Sequence, residues 1–199
     1  MPSRTGILFV VSGPSGSGKT TLCRQLADDG EARYSTSCTT RPARPGERDG
    51  VDYHFLGTDE FTRRIDAGDF LEHANVHGNH YGTLKSEVLQ HISQGADVVM
   101  DIDVQGAALV RACDDPHIRT AIVDLFVMPP SEDELRIRLT GRGTDTEEVI
   151  AVRMRNALDE MRRWREYTYR LVSSTREEDY LRFKALLFAE RLRVARLLP

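Results

Sequence analysis

The pattern of apolar and polar positions divides the chain into alternating strands and helices. Residues 7–12 form an unbroken apolar run that ends in glycine, as expected for a strand buried on both faces of a parallel sheet. The runs at residues 97–102 (DVVMDI) and 121–127 (AIVDLFV) repeat it, and a last strand is expected near residues 170–173. Helical patterns fall between them, over residues 18–28, 105–112, 131–139 and up to about residue 163, with a terminal amphipathic helix over residues 177–197. Ser131 with Glu134, and Thr144 with Glu147, have capping-box spacing, and Gly141-Arg142-Gly143 breaks the chain between those two helices. Residues 37–57 are rich in Thr, Arg, Pro and Gly and alternate over 52–56, which predicts an irregular or antiparallel insertion. Two short helices follow, near residues 59–67 and 84–93, the second stopped by Gly95. Strands alternating with helices in one chain of 199 residues predict a single α/β domain on a parallel sheet.

Composition narrows the class. The longest apolar runs fall well short of the roughly 18 residues that a membrane span needs, and the apolar start leads into a glycine-rich turn rather than a cleavage site. Cys23, Cys38 and Cys113 are odd in number and widely spaced, which suggests neither a disulfide framework nor a zinc ribbon and points to a reducing, cytoplasmic setting. His77 and His80 have ligand spacing but no accompanying thiol or acidic set, so a zinc site is not expected. The formal charge of −4 argues against nucleic acid as a partner, and neither a membrane nor an obligate protein partner is implied. Charge is uneven, however: residues 131–199 carry 15 bases and 13 acids, against 12 and 18 in residues 1–130. Of the 27 basic side chains only Lys19, Lys85 and Lys184 are lysines. The arginines of the terminal helix read as a solvated face, and Arg136, Arg155, Arg162, Arg163 and Arg165 as solvated or salt-bridged.

Chemistry enters at Gly13-Pro14-Ser15-Gly16-Ser17-Gly18-Lys19-Thr20, which matches G-x-x-x-x-G-K-[ST] between an apolar strand and a helix. Glycines let consecutive backbone N–H groups converge on phosphate oxygens, and the positive end of the following helix adds to the field. Lys19 would reach the β- and γ-phosphates, and Thr20 would offer its hydroxyl to Mg²⁺. Such a loop implies a nucleoside triphosphate and leaves hydrolysis, switching and transfer open. Arg41 and Arg44 stand three apart on a segment stiffened by Pro42 and Pro45, a pre-organised presentation of two planar guanidiniums suited to phosphate. Asp101, at a strand end, can hold magnesium or its waters, or cap the helix that follows.

The phosphate loop, residues 37–55 (SCTTRPARPGERDGVDYHF), 70–82 (FLEHANVHGNHYG), the Asp-Ile-Asp-x-Gln-Gly block at 101–106 and residues 135–153 (LRIRLTGRGTDTEEVIAVR) together resemble the guanylate kinases, in order and over nearly the whole chain. The resemblance implies a P-loop NTPase fold of three layers with a parallel sheet core, at about residues 5–35, 96–134 and 156–199. It also implies an inserted GMP-binding subdomain at about 36–90 and a helical lid at about 135–155. It implies an ATP:GMP phosphotransferase of purine nucleotide metabolism that needs Mg²⁺, with ATP and GMP as substrates and dGMP use left open. ATP would then be held by residues 13–20, Thr21, Arg138 and Arg142, and the metal by Thr20 and Asp101. GMP would be bound by Arg41, Arg44, Glu47, Tyr53 and Tyr81, the arginines and tyrosines holding its phosphate. The base would be read by Ser37, Glu72, Thr83 and Asp103, because a carboxylate accepts both guanine N–H groups while adenine would oppose an acceptor to it. Lys19, Arg44, Arg142 and Arg153 are the expected catalytic side chains, since phosphoryl transfer needs positioning and charge neutralisation. Val172-Ser173-Ser174 departs from the family's Val-Asn-Asp, where the asparagine can contact adenine, so donor-base selectivity is open. Two other readings keep the fold. Ribose 1,5-bisphosphate as acceptor is disfavoured by the base-reading set, and a non-catalytic protein-binding module by the intact phosphate loop.

Overall fold

The computed structural model describes residues 4–76, 78–140 and 146–197. Arg142, Gly141, Gly143, Thr144 and His77 lie outside them. Five strands, β1 (Leu8–Ser12), β2 (Arg33–Tyr34), β7 (Val98–Asp101), β8 (Ile122–Met128) and β9 (Tyr169–Val172), form one sheet in the order β2-β7-β1-β8-β9. Every neighbouring pair is parallel. The apolar run of β1 is buried on both faces because it stands in the middle. Ile7, Phe9 and Val11 face α1 (Lys19–Asp28) and α8 (Arg176–Arg191), where Leu22, Cys23, Leu26, Phe183 and Leu187 complete one core. Leu8 and Val10 face the opposite layer, formed by α3 (Lys85–Ile92), α4 (Val104–Arg111) and α5 (Pro116–Ala121). These are the three layers expected of a parallel α/β sheet.

A second sheet of four strands lies in the chain between β2 and β7. It joins β3 (Cys38–Thr39), β4 (His54–Phe55), β5 (Phe70–Val76) and β6 (Asn79–Leu84) in the order β4-β3-β6-β5. The β5–β6 hairpin is antiparallel, with an irregularity between Phe70 and Glu72. Cys38, Phe61 of α2 (Thr58–Asp66) and Phe70 form a small separate core beneath it, with the Phe61 and Phe70 rings stacked at 4.3 Å. A further pair, α6 (Glu132–Thr140) and α7 (Glu147–Arg162), packs through Leu135, Leu139, Met154 and Ala157.

Several elements differ from the sequence reading: β3 and β4 pair in parallel where an irregular or antiparallel insertion was expected, and β2 and α5 were not foreseen. The β5–β6 hairpin was not expected, because Ala74 and Val76 are the only apolar side chains in the polar stretch 73–80. The cap of α7 is Thr146, whose hydroxyl accepts the Val149 N–H at 3.4 Å. The terminal helix stops at Arg191 rather than near 197, and only part of its arginine set is a solvated face: Arg176, Arg182 and Arg193 are exposed, whereas Arg191 and Arg196 are not. Arg191 donates to Asp97, Glu31 and the Glu31 carbonyl. Arg196, 3% exposed, donates to the carbonyls of Thr120 and Ala121 and to Glu190, itself 2% exposed. Tyr169 donates to the other Glu190 oxygen at 2.6 Å. Burial works to raise the Glu190 carboxyl, but the Tyr169 and Arg196 hydrogen bonds outweigh it and hold it below the usual range. Arg196→Leu would leave that carboxylate buried without its cation, and a loss of about 3–5 kcal/mol in urea unfolding is expected. A loss under about 1 kcal/mol would show the pair to be dispensable. Among the described residues no helix is long and apolar enough to cross a membrane.

Candidate active site

The loop between β1 and α1 takes its shape from three glycines with positive φ, Gly13 (149°), Gly16 (86°) and Gly18 (95°). At Gly13 a Cβ would stand 2.3 Å from the Val127 carbonyl oxygen, so the neighbouring strand leaves room for no side chain. Gly13→Ala is therefore expected to destabilise the fold by about 3 kcal/mol and to abolish nucleotide binding. An unchanged melting temperature with intact ATP binding would contradict that. Gly18 occupies the cap position of α1 without a side-chain cap, which leaves the first N–H groups of the helix directed at the loop. Lys19 Nζ lies 3.5 Å from the Pro14 carbonyl, a long contact that leaves the ammonium available to the cleft. The cleft, about 630 Å³, is lined by Ser15, Gly16, Gly18, Lys19, Thr20, Thr21 and Arg138. α6 sits directly on the loop, with Leu135, Arg138 and Leu139 about Gly16.

At the edge of this cleft the Thr20 hydroxyl donates to one oxygen of Asp101, and the Tyr34 hydroxyl donates to the other. Asp101 is not a helix cap. That role falls to Asp103, whose Oδ1 accepts the N–H groups of Gln105 and Gly106 at 2.9 and 2.7 Å. No cluster of three or more His, Cys, Asp or Glu side chains suited to a metal occurs among the described residues. One hydroxyl and one carboxylate beside a phosphate loop instead fit Mg²⁺, which keeps most of its waters and takes the rest of its ligands from phosphate.

The second group of predicted residues gathers on the smaller sheet. Arg41 forms a two-bond pair with Glu47 at 2.9 and 3.0 Å, and its guanidinium lies 5.4 Å from the Tyr53 ring. Glu47 also accepts the Arg44 backbone N–H at 2.7 Å. Glu47 thus ties the Arg41 guanidinium to the turn at residues 44–47. The Arg41 bond holds its carboxyl below the usual range. Tyr53 and Tyr81 meet edge to face at 6.0 Å.

Glu72, 7% exposed, pairs across the hairpin with Thr83, and the Ser37 and Thr83 hydroxyls are 3.5 Å apart. Burial pushes the Glu72 carboxyl up; Thr83 hydrogen bonds oppose this, and the nearby Asp103 reinforces it. Gly106 stands between the two acids. A Cβ there would be 3.4 Å from Glu72 Oε2 and 3.5 Å from Asp103 Oδ1.

A cavity of about 240 Å³ lined by Thr20, Tyr34, Ser37, Tyr53 and Asp101, among others, joins the two groups. Arg44 is exposed, and neither it nor Arg153 lines the cavities about the loop and Asp101. A third recess of about 250 Å³ shares Gly18, Thr21 and Arg138 with the loop cleft and adds Leu22, Ser173, Ser174, Arg176 and Asp179. In it Asp179, 5% exposed, accepts from the Ser173 hydroxyl and the Ser174 N–H, both at 2.8 Å, while Arg138 donates to Ser173 at 3.2 Å.

Comparison with known proteins decides the family. The guanylate kinase family model matches residues 5–190. The chain belongs to the guanylate kinase family. It is 47% identical over 195 residues to a guanylate kinase of Alkalilimnicola ehrlichii, covering 98% of this chain and 94% of that one. It is equally identical over 196 residues to one from Syntrophotalea carbinolica, covering 98% and 90%. The crystal structure of guanylate kinase from Anaplasma phagocytophilum superposes with a TM-score of 0.75 at 31% identity, covering 100% of this chain and 92% of that one. A gluconokinase from Sinorhizobium meliloti, at 15% identity and a TM-score of 0.51, covers 94% and 95% and shares the fold alone.

Within the family frame, several residues of the site carry no motif of their own. Tyr34 is a single polar position in a two-residue strand whose partner Asp101 is distant in the chain, and Asp179 stands in the first turn of α8, with Ser173 and Ser174 just upstream. Glu160 on α7 is half-buried; burial raises its carboxyl, Lys19 opposes that and Asp103 adds to it, which places it in the field of the phosphate loop. Spacing along α7 alone, with Arg153, Ala157 and Glu160 on one face, was the available signal for it.

Proposed function

We propose that this chain transfers the γ-phosphoryl group of ATP to GMP. The observation that carries the reading is the joining of two built sites: a phosphate-loop cleft and a base-reading set on a separate small sheet. In this reading a phosphate oxygen of GMP attacks the γ-phosphorus, the bond to the β,γ-bridging oxygen breaks, and ADP and GDP result. Lys19 and the backbone N–H groups of residues 13–20, with Thr21, hold the donor phosphates, and Arg138 closes the cleft from α6. Arg41, Arg44, Tyr53 and Tyr81 hold the acceptor phosphate, with Glu47 ordering the turn. Glu72, with Ser37, Thr83 and Asp103, selects guanine. Mg²⁺, held by Thr20 with Asp101 behind it, would supply charge neutralisation on the donor phosphates.

Arg153, and Arg142 outside the described residues, are assigned to a lid of about residues 135–155 that meets the transferring group. The acceptor subdomain is assigned to about 36–90, and the remainder to the core. Closure of both would exclude water, the competing acceptor. The donor base fits the recess beside Leu22, where Ser173 and Ser174 take the place of the family's Asn-Asp and Asp179 holds them.

A coupled assay offering ATP with GMP, dGMP, AMP, UMP or ribose 1,5-bisphosphate tests the reading. GMP is expected to exceed AMP and UMP by at least about a hundredfold in kcat/KM. A better rate with AMP or ribose 1,5-bisphosphate would remove the proposed base-reading role.

A further inference from the structure

Asp101 is the last residue of β7, and each of its carboxylate oxygens receives one hydroxyl. Thr20 comes from the first turn of α1. Tyr34 comes from β2, the edge strand that runs parallel to β7 with Tyr34 opposite Val99. The phenol ring is half-buried against the core shared by α1 and α8, and the Arg24 guanidinium lies over it at 5.6 Å. The ring is therefore fixed by packing on one side and a cation on the other, and its hydroxyl has a set direction.

A carboxylate held through one oxygen alone can rotate about its last torsion, whereas one held through both cannot. The proton that Thr20 donates to Asp101 decides where the remaining Thr20 lone pairs point. We propose that Tyr34 is a positioning residue for the metal-bearing end of the donor site: by anchoring one oxygen of Asp101, it makes the other accept from Thr20 and turns the Thr20 oxygen towards the cleft. Groups that orient a metal ligand from behind tune affinity without touching the ion. Tyr34 and Asp101 also line the cavity that leads to Ser37 and Tyr53, so the same contact fixes the wall between donor and acceptor. The inference rests on the assignment of Thr20 and Asp101 to the metal.

Tyr34→Phe keeps the ring and removes only the hydroxyl. The readout is Mn²⁺ bound to the full chain in the presence of ADP, measured by paramagnetic resonance of the free ion, with ADP affinity in EDTA and the melting temperature measured alongside. The Mn²⁺ dissociation constant is expected to rise about tenfold, with metal-free ADP affinity and melting temperature unchanged. An unchanged Mn²⁺ constant would overturn the inference, as would an equal loss of ADP affinity in EDTA, which would make Tyr34 a support of the whole loop. Either result leaves the phosphotransfer reading standing. If the unaltered chain showed no Mn²⁺-linked ADP binding, the metal assignment itself would fall.

Discussion

Lys19→Met is expected to lower kcat about a thousandfold while leaving the fold and the GMP requirement close to those of the parent. The glycines, and not the lysine, carry the shape of the phosphate loop. Lys19 Nζ makes only a long contact with the Pro14 carbonyl, so the fold loses little when it is removed. What disappears is a mobile point charge aimed into the cleft, of most value when negative charge shifts onto the leaving oxygen. Methionine keeps most of the stem length and none of the charge. Stopped assays at saturating ATP and GMP, beside a thermal melt, make the comparison; a loss below tenfold would take Lys19 out of the transfer step.

Glu72→Gln is the second large effect, and it has two parts of opposite sign. In the proposed site the carboxylate would accept two guanine N–H groups, whereas an amide has one acceptor and would turn a donor towards the base. The KM for GMP is expected to rise about a hundredfold, with the ATP requirement unchanged. Equal increases in both would remove Glu72 from base recognition. Stability should move the other way. Burial raises the Glu72 carboxyl in the folded chain, so folding favours its protonated form. That contribution is fully present below the unfolded-state pKa and is lost as pH rises through the folded one. At neutral pH the unliganded protein therefore holds a buried charge at a disadvantage, and glutamine should melt higher than glutamate. The difference should shrink on acidification. The same titration predicts that kcat/KM for GMP in the parent falls at a higher pH than an ordinary carboxylate would impose.

Much of this was legible because the informative residues are close together in the chain. The double-sided burial of β1 follows from five apolar neighbours, and the phosphate loop from eight consecutive residues. The proline-stiffened Arg41–Arg44 segment was legible for the same reason, although the part played by Glu47 needed the fold to show its carboxylate on Arg41. What escaped was either non-local or hidden by polarity. The buried positions of the β5–β6 hairpin include Glu72 and Thr83, polar residues in place of the apolar ones that announce a strand. Tyr34 meets Asp101 only because an edge strand two residues long pairs with β7. The terminal arginines had the pattern of a solvated face; Arg196 is buried because the chain turns after Arg191 and returns to the Thr120 and Ala121 carbonyls.

The central place of β1 bears on how the protein is made. The strand that carries the phosphate loop leaves the ribosome well before its partners, since Leu8 pairs with Val98 on one side and Ile122 on the other, and its helical cover includes α8. A nascent chain that has reached α7 holds every residue of the loop but lacks the outer strand and the helix that seal the layer beneath it. Pairings of such long sequence separation close slowly and leave apolar surface exposed meanwhile. The nucleotide site, translated ahead of the strands and helix that enclose it, is among the last parts of the molecule to become a pocket.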